Sequence, residues 1–441
     1  MRAWLAVLGL LLSLAGCHGD KPPPPPKTGS GGSFDVVTQP VLLDGGAGTS
    51  TSDEIEPNDG EDIATPLALG ATLRGKLDAD GDVDYYRIEV AQAGALAVEV
   101  SAIDGFDLAL EVEDASGAVI ARSDRGGVRI KEGVPNLGVA TGRYTIVVRG
   151  KRFEPPKSRP KKLKKGEKAP PEPPRATGPS PVYELTAKVS APAGNIEREP
   201  DDDRGTAIDL IVGDVASGYV GWTGDADVWK LNVEALSAKN AIDIEVSAVD
   251  GTALALEVAD GIGQPLLSRK GPRGAPLIVR GLLPVVPAGA PPYHYLTVRG
   301  DKSNPETPYQ IKVVAHDLVP DGEIEPDDTP ERAMAMPADR TTLHGTWTPG
   351  DADCYSLPVT AALRVVEAFV DPQGSNVDLA IELVIDGKVT AKADHPGAGA
   401  QEKISGSVPA GKRAVFRVRG GDPNATTEGT YDIVISDTGA P

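Results

Sequence analysis

A short acidic motif occurs three times and sets the plan of the whole chain. Glu56-Pro57-Asn58-Asp59 is followed by Gly81-Asp82-Val83-Asp84-Tyr85-Tyr86. Glu199-Pro200-Asp201-Asp202 is followed by Gly224-Asp225-Ala226-Asp227-Val228-Trp229, and Glu325-Pro326-Asp327-Asp328 by Gly350-Asp351-Ala352-Asp353-Cys354-Tyr355. Each copy opens a stretch of the same layout, so the chain is an array of repeated modules. Leu96, Val98 and Val100 alternate with Ala97, Glu99 and Ser101, and Ile242, Ile244 and Val246 with Asp243, Glu245 and Ser247. Leu108-Leu110-Val112, Leu254-Leu256-Val258 and Leu379-Ile381-Leu383 repeat the period of two, which marks strands with one face on a core and the other toward water.

Short strands at even spacing, without a long helical pattern, predict an all-β chain of three tandem antiparallel β-sandwiches. The 51 glycines and 40 prolines fit many turns. The expected modules are 53–192, 195–317 and 321–437, the first interrupted by a basic Pro- and Lys-rich insertion at 151–181. Pro192-Ala193-Gly194 and Val319-Pro320-Asp321-Gly322 are short joints, expected to limit the angles between modules without fixing them. Around Val365–Val370 the alternation is less clean and sets no register.

Met1-Arg2 and the apolar run Ala3–Leu14 end in Leu14-Ala15-Gly16-Cys17. The run is too short to span a bilayer. Residues 1–16 resemble a bacterial lipoprotein signal with its lipobox, which implies cleavage before Cys17 and acylation of that cysteine. Several acyl chains give durable anchoring. His18 stands where an aspartate would retain a lipoprotein in the inner membrane of enteric bacteria, so an outer-membrane, cell-envelope location is expected. Residues 17–52, with Pro22–Pro26 and a Gly/Ser run, read as a tether.

A net charge of -20 argues against nucleic acid as a partner. Lys161, Lys162, Lys164 and Lys165 concentrate positive charge in the insertion. They form either an arm for anionic envelope polymers and lipid head groups or, the preferred reading, a solvated loop. Cys17 and Cys354 are the only cysteines, so no disulfide framework exists within the modules. Cys354 reads as a free structural thiol on the strand face opposite Tyr355.

The Glu-Pro-Asn/Asp-Asp motif, the Gly-Asp-x-Asp-x-Tyr/Trp motif, the strands Asp107-Leu108-Ala109-Leu110 and Asp378-Leu379-Ala380-Ile381, the element Gly142-Arg143-Tyr144 and the closing Tyr strand resemble the bacterial pre-peptidase C-terminal domain. Module two departs with Ala253-Leu254-Ala255-Leu256. The resemblance spans about residues 53–436 and implies a jelly-roll-like sandwich, usually a non-catalytic appendage of exported enzymes.

Tyr86, Trp229 and Tyr355 share the phase of Ile88, Leu231 and Leu357 and are expected in the core. The paired aspartates then sit at the strand entrance. The first reading is capping of exposed turn amides. The rival is calcium, a hard cation that takes carboxylate and carbonyl oxygens. The candidate ligands are Asp80, Asp82, Asp84, Asp104 and Asp107 in module one, Asp225 and Asp227 in module two, and Asp351, Asp353 and Asp378 in module three. Module one is the expected best site, and module two, with Ala253, the poorest.

No nucleophile elbow or zinc-protease helix motif occurs, and His18, His294, His316, His344 and His395 occupy no repeated position. A non-catalytic binding array for an envelope protein or polymer is the expected function. The alternatives are a carbohydrate-binding, adhesin-like array, with Trp222 and Trp347 as the tryptophans whose phase leaves them outward, and an accessory subunit of a secreted protease.

Overall fold

Alternating apolar residues can pay for desolvating a strand only when a second sheet covers them, and every module here solves that problem with two packed sheets. The structure is a computed structural model that describes residues 50–79, 81–152, 178–336 and 342–439. The lipobox with Cys17, nearly all of the tether, Asp80 and Lys161, Lys162, Lys164 and Lys165 lie outside the described residues.

Module one contains β1 (Thr51–Asp53), β2 (Thr65–Pro66), β3 (Thr72–Gly75), β4 (Val83–Val90) and β5 (Gly94–Val100). It continues with β6 (Phe106–Glu113), β7 (Val119–Ser123), β8 (Glu132–Val139), β9 (Gly142–Arg152) and β10 (Tyr183–Ser190). One sheet runs β1-β3-β10-β5-β8 and the other β2-β4-β9-β6-β7.

Module two repeats this order with β11 (Ile208–Leu210), β12 (Val215–Val220), β13 (Asp227–Asn232), β14 (Asn240–Val246) and β15 (Leu254–Asp260). Then come β16 (Pro265–Lys270), β17 (Leu277–Leu282), β18 (Tyr293–Gly300) and β19 (Asn304–Asp317). Its sheets are β11-β13-β18-β15-β16 and β12-β19-β14-β17.

Module three has β20 (Met334–Ala335), β21 (Thr342–Trp347), β22 (Ala352–Ser356), β23 (Arg364–Asp371) and β24 (Leu379–Ile385). It closes with β25 (Lys388–Ala393), β26 (Glu402–Val408), β27 (Ala414–Gly420) and β28 (Gly429–Gly439). Its sheets are β20-β22-β27-β24-β25 and β21-β28-β23-β26. Long-range antiparallel pairing dominates, and only the short leading strands β1, β2, β11 and β20 pair in parallel.

Each pair of sheets encloses its own apolar core. Tyr86, Trp229 and Tyr355 are fully buried in these cores, as their phase requires. In β23, Val366, Ala368 and Val370 point inward, while Val365, Glu367 and Phe369 alternate with them. A small Ala inside and a large Phe outside had blurred that pattern in the sequence. Cys354 lies on the opposite face from Tyr355 but is buried too, in a small cluster with Val384 and Val415.

Trp347 departs from the outward placement its phase allows. It is 3% exposed, donates its indole N–H to the Asp351 carbonyl at 3.2 Å, and covers the position where Gly420 lacks a Cβ. Trp222 is half-buried against the core of module one.

The joints also differ from loosely hinged beads. Leu137 of β8 and Glu199 form a parallel bridge, in which the Gly138 amide donates to the Glu199 carbonyl at 2.6 Å and the Glu199 amide to the Asn136 carbonyl at 3.1 Å. At the second joint, the Leu283 amide donates to Glu325 and the Glu325 amide to Gly281, both at 3.1 Å. The leading segment of each module thus covers the free edge of the preceding module's β8 or β17, by the same hydrogen bonding that pairs strands within a sheet. The physical reason is that a joint this short is itself extended backbone, whose amides need partners.

Gly345 shows how tight the interior is. A Cβ there would collide with the Tyr431 ring, and Gly218 meets Tyr309 in the same way. Gly345→Ala is therefore expected to lower stability by about 1–3 kcal/mol through overpacking, read as a lower midpoint in chemical denaturation of the full chain.

Candidate functional site

The acidic motif becomes a site because its two halves converge. The leading segment places two glutamates on one side of an extended strand, Glu54/Glu56, Glu197/Glu199 and Glu323/Glu325. The second aspartate of each Asp-x-Asp pair, Asp84, Asp227 or Asp353, sits in the strand beside the core aromatic. In module two, Glu197, Glu199, Asp201 and Asp227 bring ligand oxygens within 4.8 Å of one another, and all four side chains are buried. Glu54, Glu56 and Asp84 converge likewise in module one, as do Glu323, Glu325 and Asp327, and Glu323, Asp351 and Asp353, in module three.

The same second-sphere bonds hold all three cups. The amide after the glycine of β3, β12 or β21 donates to the first glutamate: Lys76 to Glu54 at 2.8 Å, Tyr219 to Glu197 at 2.6 Å and Thr346 to Glu323 at 2.8 Å. The second glutamate accepts the amide two residues on, from Asn58 at 3.1 Å, Asp201 at 2.9 Å and Asp327 at 2.9 Å. The closing-strand tyrosines Tyr183 and Tyr431 donate to Asp84 and Asp353. Tyr86 bonds Tyr183 at 2.5 Å, Tyr355 bonds Tyr431 at 2.6 Å, and Trp229 donates to Tyr309 at 2.9 Å.

These bonds do not satisfy the cups. Asp84 Oδ1, Glu199 Oε1, both Asp201 oxygens, Asp225 Oδ1, Asp227 Oδ2, both Asp327 oxygens and Asp353 Oδ1 are buried without a hydrogen-bond partner. Buried carboxylates left bare are costly, and several in one place repel each other. Burial first, then neighbouring carboxylates such as Glu54, Glu199 and Asp227, push Asp84 up to about 8, Asp201 to about 9 and Asp225 to about 7. Glu199 is pushed up to about 9 by burial and then by the Asp225 carboxylate beside it. Burial likewise raises Glu197, Asp227, Glu323, Asp327 and Asp353 well above the usual carboxylate range. Three or four carboxylate oxygens within 4.8 Å of one another, some of them partnerless, are the kind of hard-oxygen donor set that a divalent cation such as calcium takes.

The expected ligands divide between two roles. Asp82, Asp225 and Asp351 cap turn amides: Asp82 accepts from Val83 at 3.0 Å, Asp225 from Gly221, and Asp351 from Ala352 at 2.8 Å. Asp84, Asp227 and Asp353 are instead the buried floor of the cups. Asp104, Asp107 and Asp378 are not drawn into these groups. Asp104 pairs with Arg129 at 2.5 Å, Asp107 accepts the Gly127 amide at 2.7 Å, and Asp378 the Gly397 amide at 3.3 Å, because they line loops of their own. Ala253, like Asp107 and Asp378, stands outside these groups, and the module-two group is the most completely buried. The leading glutamates, with Asn58, Asp201 and Asp327, were not among the expected ligands. The signal for them was the threefold recurrence of the Glu-Pro motif itself.

No family model and no curated protein matches the sequence. Among solved structures the chain is similar to the pre-peptidase C-terminal domain of collagenase from Bacillus anthracis, at 17% identity over 27% of this chain and 100% of that one, with a TM-score of 0.19. It is also similar to Aeromonas hydrophila PliG, a periplasmic lysozyme inhibitor of g-type lysozyme, at 15% identity over 24% of this chain and 96% of that one, with a TM-score of 0.20. Tandem CBM51 modules of a family 98 glycoside hydrolase from Streptococcus pneumoniae share 10% identity over 47% of this chain and 81% of theirs, with a TM-score of 0.17. At these scores the likenesses carry no functional weight, and the all-β sandwich architecture rests on the strand pairing itself.

The raised carboxylates fix the sign of the pH response. A group whose folded value lies above its unfolded value binds more protons when folded, so its stabilising contribution is present at low pH and lost as pH rises. In chelator, stability is expected to fall between about pH 4, near the ordinary values of 3.8 and 4.5, and about pH 9, the level of Glu199 and Asp201. Denaturant titrations across that range check this.

Proposed function

We propose that the chain is a non-catalytic, lipid-anchored envelope protein whose three sandwiches are calcium-stabilised binding modules for an envelope protein or polymer. The observation that carries the calcium part is the threefold recurrence of a carboxylate cup that holds buried, partnerless oxygens. The resemblance of the repeated motifs to the pre-peptidase C-terminal family, and of the N-terminus to a lipoprotein signal at Cys17, supports the display role. Three weak sites on one tether gain avidity without any one being tight.

A carbohydrate partner is the second reading, and one groove favours it. Val119, Ile120, Ala121, Arg122, Asp124, Trp222 and Thr223 line a depression of about 470 Å³ where modules one and two meet. A half-buried indole beside Arg122 and Asp124 offers a sugar ring both a stacking face and hydrogen bonds.

Calcium at a hundred times its Kd is expected to stabilise a module by about 2.7 kcal/mol per site, visible as a higher unfolding midpoint than in chelator. Asp227→Asn should abolish the gain at module two while leaving the chelator midpoint unchanged or higher, because it relieves like-charge repulsion. A midpoint indifferent to calcium would sink the ion reading. For the partner, the detergent-solubilised chain would be sedimented with purified peptidoglycan and with insoluble polysaccharides. Co-sedimentation with one polysaccharide, lost in Trp222→Ala, would establish the carbohydrate reading. Failure with every polymer, together with capture of one defined envelope protein, would leave the protein-binding array.

A further inference from the structure

One side chain makes the two joints electrostatically unlike. In the sheet register Ser123 lies opposite Leu110, Arg269 opposite Leu256 and Ala393 opposite Ile381. These are the same position in the three modules, and only module two has a cation there. Arg269 is 2% exposed, and its guanidinium leaves its own module. Nη2 pairs with Glu325, with Asp328 at 2.9 Å and with Asp351 at 2.9 Å, while Nη1 donates to Thr348 at 2.8 Å.

Those three carboxylates have an equivalent in module two. Glu199, Asp202 and Asp225 stand at the same motif positions, and their oxygens lie within 4.8 Å of one another. Among the described residues no Lys, Arg or His is paired with any of them. Glu199 Oε1 and Asp225 Oδ1 have no hydrogen-bond partner, on side chains 1% and 3% exposed. Module one sends no charge into this group: its Asn136 amide goes to Glu197, and the Arg125 guanidinium, which also crosses the joint, pairs with Glu306 at 2.7 Å instead. The backbone bonds of the two joints match, and the charge balance does not. Glu199 is also the residue whose own amide and carbonyl join module one, so whatever neutralises its carboxylate braces the joint.

We propose that Arg269 is a built-in substitute for a divalent cation. It fills the outer carboxylate group of module three, so protein alone neutralises that group at the second joint, whereas the matching group in module two takes calcium, and the first joint, held otherwise by its backbone bonds and the Arg125–Glu306 pair, is braced at that group only when the ion is bound. The calcium half rests on the reading given under Proposed function, and the Arg269 half rests on the contacts alone.

The test uses the full chain in detergent, with calcium as the only added ligand. Equilibrium dialysis counts bound calcium, and hydrogen exchange follows the Gly138 and Glu199 amides at the first joint and the Leu283 and Glu325 amides at the second. Chelator is expected to speed exchange at the first joint at least tenfold and to leave the second unchanged. Arg269→Ser, which installs the residue found in module one, should add one bound calcium and make the second joint respond to chelator. The matched pair Asp202→Asn and Asp328→Asn decides the matter even if Arg269→Ser fails to fold: the first should lose one calcium and the second none. Calcium binding with the same count in Arg269→Ser and the parent chain, or an equal loss in Asp202→Asn and Asp328→Asn, would overturn the proposal while leaving the calcium reading intact. No bound calcium in the parent chain would overturn both.

Discussion

Carboxylates held out of water are the constraint around which this structure is arranged. Each module gathers glutamates from its leading segment and an aspartate from its core-lining strand into one cup. The surrounding fold then supplies whatever donors a β-sandwich can offer: a backbone amide next to the glycine of β3, β12 or β21, an amide from the motif itself and a tyrosine hydroxyl reaching across from the closing strand to the aspartate. The glycine allows the tyrosine ring to approach, so core packing and cup geometry cannot be altered separately. Donors remain too few, and bare buried oxygens are the residue of that shortage.

The same frame carries three electrostatic settings. Module one has a neutral Asn58 in its cup and an exposed Glu56, so its charge is diluted by water. Module two buries four carboxylates together. Module three receives a guanidinium from its neighbour, and the Arg269 charge stays fixed: burial opposes it, but Asp351, Glu325 and Asp328 outweigh that and raise its pKa. Burying the pair costs desolvation of every ion in it, but removing Arg269 would leave three carboxylates without their counter-charge, which is costlier still. Repetition therefore fixes architecture, while single substitutions at one repeated position set how each joint is neutralised.

Joint rigidity and charge balance are linked through Glu199 and Glu325, whose backbones extend the neighbouring sheet and whose side chains enter the cups. A binding array gains from such coupling, since the spacing and direction of its sites then follow from chemistry at the joints rather than from loose linkers.

Much of the fold was legible in the sequence. Period-two alternation in Leu96–Val100, Leu108–Val112 and their repeats marks buried faces because a strand presents alternate residues to opposite sides. The phase of Tyr86, Trp229 and Tyr355 places them in the core by the same rule. The paired aspartates were legible as polar residues at a strand entrance, but the pairing hides a division of labour: the first caps a turn amide, while also entering a carboxylate group in modules two and three, and the second forms the floor of the cup. Only tertiary structure could decide the rest. Glu197, bonded to β12 of one sheet, meets Asp227 on β13 of the other through the packing of the two sheets, and Arg269 meets Asp351 across a joint, over separations on which local periodicity carries no information. Asp104, Asp107 and Asp378 were drawn to other loops for the same reason. Sequence alone determined the faces of strands, because that depends on neighbours along the chain. Which charges share one dielectric pocket depends on how whole sheets pack, and only the folded array decides it.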